Sequence, residues 1–115
     1  MRAVLIVGLM AIAGSIDARA GVDTASADYV MPGCRSLIVS TDRQNPFLQG
    51  LCSGQISGVW DMAIPAGSVC SPSGADMGQA TRVVVQYIDA RPARMHDRFS
   101  RLALEALRAA WPCTK

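Results

Sequence analysis

Apolar residues recur at helical intervals through most of this chain, and the predicted elements follow from where that rhythm stops. Tyr29, Leu37 and Ile38 mark a first helix over residues 28–40, with Ser26 placed to cap it. Pro32-Gly33 sits awkwardly in that stretch, since proline is comfortable only in a first turn, so the stable part is expected to start near Pro32. Residues 41–45 form a turn; Asn45 can then cap a second helix with Pro46 at its first position, running to Ala63. Residues 64–74 hold Pro65, Gly67, Pro72 and Gly74 and read as a long loop. A third helix, opened by Ser73 or Asp76, covers residues 75–90, with Met77, Ala80, Val83, Val84, Tyr87 and Ile88 at helical spacing. Val83-Val84-Val85 alone suggests a strand, but helical periodicity on both sides and the lack of a second strand argue against it. Arg91-Pro92 ends that helix. A fourth spans residues 94–111, its inner stripe Phe99, Leu102, Ala103, Ala106 and Ala110 with Leu107 beside it. Arg98, Arg101, Glu105 and Arg108 are placed in water, Arg101 and Glu105 as an i, i+4 pair. The expected fold is all-α, a small four-helix domain.

The N-terminus breaks this pattern. Arg2, an uncharged apolar run over residues 3–14 and a polar stretch ending in Ala18-Arg19-Ala20 have the three-part layout of a secretory signal peptide. The run is shorter than the roughly 20 residues a bilayer span needs. Cleavage is expected after Ala20, with residues 21–115 as one exported domain, periplasmic or secreted. Residues 21–27 read as a loose polar lead.

Export changes the meaning of the four cysteines, Cys34, Cys52, Cys70 and Cys113. In an oxidising compartment an even count in a small chain reads as two disulfides. A zinc site would want close Cys/His pairs, whereas the nearest cysteines are eighteen residues apart and His96 is the sole histidine. Four cysteines allow three connectivities. If the first two helices form an antiparallel hairpin about Arg43, Cys34 and Cys52 are equidistant from its centre and fall side by side. That register favours Cys34–Cys52 and leaves Cys70–Cys113, with the other pairings still open.

Charge adds little. The formal net charge is +2, and losing Arg2, Arg19 and Asp17 with the leader lowers it by one. Mixed signs give no nucleic-acid footprint, and nothing after residue 20 is apolar for long enough to cross a membrane. No nucleophile–base pair appears and nothing points to a cofactor or metal. Asp61 reads as the partner of an arginine, His96 as a hydrogen-bonded structural histidine near Asp97, and Trp60 and Trp111 as cover for the core edge. Gly50, Gly54 and Gly58 place a stripe of small residues on one face of the second helix, expected to let another helix pack closely; a smooth face for a partner is the alternative.

Taken together, Pro32-Gly33-Cys34-Arg35, the run Gly50-Leu51-Cys52-Ser53-Gly54-Gln55-Ile56-Ser57-Gly58, Cys70-Ser71-Pro72 followed by Gly78-Gln79, and Arg91-Pro92 with a terminal Trp111-Pro112-Cys113 resemble the type VI secretion amidase-immunity family, the Rap/Tai immunity proteins. The resemblance spans about residues 28–113. It implies a small helical periplasmic protein, not an enzyme, that binds and blocks a cell-wall amidase effector, and it implies homodimers. It carries over no contact residues.

Two functions from different classes follow: a toxin-neutralising binder, or a periplasmic acid-stress chaperone of the small helical type. A chaperone must expose apolar surface on acidification, which two cross-links oppose, so immunity ranks first. A binder needs an exposed loop, and the candidates are residues 40–45, 64–73 and 90–97. Residues 64–73 come first because the segment is long and Cys70 tethers it; Val69, Ser71 and Ser73 are its candidate contact residues.

Overall fold

The computed structural model describes residues 21–39 and 45–114. The expected leader, and most of the candidate loop at residues 40–45, lie outside them. The architecture is the expected one: α1 (Ala27–Ile38), α2 (Pro46–Ala63), α3 (Met77–Asp89) and α4 (Phe99–Ala110), with a 3-10 turn at Pro92–Arg94. Val83-Val84-Val85 is helical. No described helix is long and apolar enough to cross a membrane.

Where local chemistry sets the ends, the expected bounds hold. The Leu48 N–H donates to the Asn45 side chain at 3.1 Å, and Pro46 occupies the first turn of α2. Asp76 and Gln79 form a reciprocal capping box at the start of α3, satisfying two amides that have no intrahelical partner. Asp76, not Ser73, is the cap.

The first turn of α1 and the start of α4 differ from expectation for one shared reason. α1 begins at Ala27 with Ser26 as its cap, as expected, its hydroxyl accepting from Tyr29 N–H at 3.4 Å, but it is already stable before Pro32 and runs through it. α4 begins at Phe99, five residues after the expected Arg94. Between α3 and α4 the chain folds back over the N-terminus of α1. The Ala27 and Asp28 N–H groups donate to the carbonyls of Asp97 and Met95 at 2.9 and 2.8 Å, and Phe99 N–H donates to Ala25 at 2.8 Å. A helix start leaves its first amides without partners; here residues 95–97 supply the acceptors, so those residues cannot join α4. Pro32, exposed on the outside of α1, leaves its missing hydrogen bond on the solvent side.

α1 packs most extensively on α2, and α3 on α4. Val30, Met31, Ile56, Val84, Ile88, Phe99, Leu102 and Leu107 form a core closed to solvent. Both disulfides are those the hairpin register favours: Cys34–Cys52, Cα atoms 5.3 Å apart, and Cys70–Cys113, 4.9 Å apart. The first is buried within the α1–α2 interface. The second ties the α2–α3 connection to the C-terminus, beside a Cys70 N–H to Trp111 carbonyl bond of 2.9 Å. Trp60 and Trp111 stack over this corner, ring centroids 5.5 Å apart, and both pack against the core.

The close approach of helices occurs at a different glycine from those expected. A Cβ added at Gly33 would overlap the backbone carbonyl of Leu48 and lie 2.7 Å from its Cβ. At Gly50, Gly54 and Gly58 an added Cβ would meet open space. Among the described residues nothing packs on that stripe: α2 turns its Cys52 and Ile56 side inward and its glycines outward.

Candidate functional site

The exposed face of α2 ends in a groove. Gly58, Val59, Met62 and Ala63 form one wall, Ala66 and Ser68 of the α2–α3 loop close one end, and Ser100, Arg101 and Leu104 of α4 form the other wall. Its volume is about 540 Å³. The sequence creates it in three ways. Gly58 offers no side chain to fill it. α2 ends at Ala63, and Gly67, at a φ of 71° that suits glycine, reverses the chain. α4 packs against α2 here, and buried Ala63 adds little bulk to the groove floor. Met62 stands at the rim, 75% exposed, with Ile64 47% exposed beyond it. A second concavity on the far side of the loop, lined by Gly67, Ser68, Arg108 and Cys113 among others, shares Ser68 with the first.

The segment before α4 is fixed by charge. Arg94 chelates Glu105 through both terminal nitrogens, at 2.6 and 3.0 Å, and its Nε bonds Asp97 at 2.8 Å. The Tyr87 hydroxyl donates to the same Glu105 at 3.0 Å. Arg91 stacks on the Tyr87 ring, 3.6 Å from its centroid. Glu105 is therefore held directly by Arg94, and Arg101, its expected partner, contributes only a weaker attraction without a close ion pair. Hydrogen bonding from Arg94, then from Tyr87, holds its carboxyl below the ordinary value of 4.5, against the opposing effect of burial; hydrogen bonding to Glu105, then to Asp97, raises Arg94. A carboxyl that is harder to protonate folded than unfolded stabilises the fold above the ordinary carboxylate range. That contribution is lost as the pH falls through the lowered folded value. Urea melts between pH 7 and 3 are expected to show wild type losing stability over this window, and Glu105→Gln to be less stable at pH 7 with a shallower acid slope. Equal slopes would remove Glu105 from the acid response.

Several candidate residues stand elsewhere than expected. Val69 is 1% exposed and packs in the core, so it is unavailable to a partner. The segment 64–73 is anchored at Val69 and Cys70, and this anchoring turns the valine inward. Ser71 accepts a hydrogen bond from Trp60 Nε1 at 3.2 Å. Ser73 is exposed. Asp61 has no arginine among the described residues; the Ser57 hydroxyl donates to it at 3.4 Å. His96 is exposed, its Nε2 3.4 Å from Asp97. Among the described residues no group of three or more His, Cys, Asp or Glu could hold a metal. The groove residues Met62, Arg101 and Leu104 escaped the sequence reading. The usable signal was an apolar Met62 in helical register with the glycines.

Residues 26–113 match the family model of the Rap1a immunity proteins. No curated protein and no solved structure matches the chain.

Proposed function

This chain belongs to the Rap1a immunity protein family, and from that membership we propose that it is an exported, non-catalytic binder that neutralises a cell-wall amidase effector by occluding its active site. Immunity proteins act by binding a toxin; the amidase target, the periplasmic site and the occlusion are the proposal. The observation that carries it is the family match across all four helices and both bridges. The scaffold supports it physically. Two disulfides and a buried core hold the loops in one arrangement before association, which reduces the entropy lost on binding. The bridges also support an oxidising compartment and suit the expected leader at residues 1–20. They support immunity over the chaperone reading, since a stapled core resists opening.

The test is protection. An amidase effector encoded beside this chain is directed to the periplasm of a reporter strain, with or without co-expression of the full chain. Survival only with the chain is expected. Lysis at the same rate in both cultures would overturn the proposal, and survival with a chain lacking residues 1–20 would remove the exported site of action.

A further inference from the structure

We propose that the groove between the C-terminal half of α2 and α4 receives the toxin, and that what it receives is an acidic segment carrying an apolar side chain. This rests on the immunity reading above and says which face performs it.

The groove is mostly apolar, with one basic residue, Arg101, in its α4 wall. Val59, Ala63 and Leu104 line it, and Met62 projects from its rim into solvent. Single exposed apolar residues are ordinary, but one joined to an open apolar groove marks an interaction surface. Arg101 lies in the α4 wall, and Arg108, two turns on and about 10 Å along the helix, lines the adjoining concavity. Arg98 stands one turn before Arg101. None of the three is in an ion pair among the described residues. The single carboxylate of α4, Glu105, is committed to Arg94. Asp61, on the exposed side of α2, is one opposing charge against three and lies outside the groove lining.

This charge pattern selects the occupant. A second copy would bring the same excess of unpaired arginines to a shared contact, with Asp61 as the one carboxylate on the exposed side of α2 to offset them. A partner segment with carboxylates flanking an apolar side chain satisfies both the arginines and the groove. The concave shape fits an inserted protein segment and not a flat lipid surface.

The test uses the oxidised full domain and a catalytically inactivated amidase effector encoded beside it. Met62→Glu is expected to weaken binding by about 30-fold or more, as at a central interface residue, while Met62→Leu binds as wild type. Arg101→Ala/Arg108→Ala is expected to slow association by about tenfold and flatten its salt dependence. Arg82→Glu, a charge change on α3 away from the groove, leaves both unchanged. Melting curves confirm that each variant is folded. If wild type binds and the groove variants bind equally well, the groove assignment falls while immunity stands. If wild type does not bind, the immunity reading falls first. A wild-type dimer that Met62→Glu dissociates would give the groove to a second copy and overturn the proposal. Attachment to phosphatidylglycerol vesicles that is lost in the arginine variant, with effector affinity unchanged, would give it to a membrane and overturn it likewise.

Discussion

Gly33→Ala is expected to destabilise the protein by about 3 kcal/mol or more, a severe cost for one methyl group. In an isolated helix the same change would stabilise by up to about 1 kcal/mol. The sign reverses because the new Cβ would overlap the backbone carbonyl of Leu48, which has no rotamer to move aside. Relief requires α1 and α2 to separate where Cys34 and Cys52 hold them 5.3 Å apart at Cα. Gly54→Ala is the matched control. It too lies in a helix, but its Cβ would meet open space, so a gain of up to about 1 kcal/mol is expected. Chemical melts of the two variants decide the matter. A Gly33→Ala protein as stable as wild type would mean that the α1–α2 contact is looser than described.

The second large effect is loss of the Cys70–Cys113 bridge. It closes 43 residues, against 18 for Cys34–Cys52. The loop-entropy account assigns about 4 kcal/mol to the longer loop and about 3 to the shorter. For a domain this small either is a large share of the total stability. Cys70→Ser/Cys113→Ser should also free the C-terminus, and with it the stacking of Trp111 on Trp60 and the Cys70–Trp111 backbone bond. The expected result is a lower midpoint with altered tryptophan emission before unfolding. Because Cys70 is exposed whereas Cys34 and Cys52 are buried, mild reductant should open the longer bridge first. A double variant with unchanged midpoint and emission would contradict this account.

How far the fold could be read in advance depended on how local each cause was. The bounds of α2 rest on Asn45 and Pro46, neighbours in sequence, and they were legible. So was the Cys34–Cys52 pair, because hairpin register is arithmetic along the chain. So was the Ser26 cap of α1; the stability of its turn ahead of Pro32 and the start of α4 were not, because they depend on hydrogen bonds between residues about seventy positions apart: Ala27 with Asp97, and Phe99 with Ala25. Helical spacing alone pairs Glu105 with Arg101. Glu105 turned to Arg94 once residues 92–98 left the helix and brought that guanidinium across. The glycine stripe was read from its true position on one face of α2, but helical period cannot say whether a face looks inward or outward. Gly33, flanked by Pro32 and Cys34, carried the close approach instead. Val69 looked like a loop residue available to a partner. Its burial is set by the bridge at Cys70 and by the core it plugs.

The central claim is that this folded, oxidised chain silences an amidase by covering its active site. The most direct measurement is peptidoglycan hydrolysis by the purified effector as the chain is titrated in. Activity is expected to fall to background at stoichiometric chain, with a small peptide substrate excluded as completely as intact peptidoglycan. Full hydrolysis at saturating chain would contradict it.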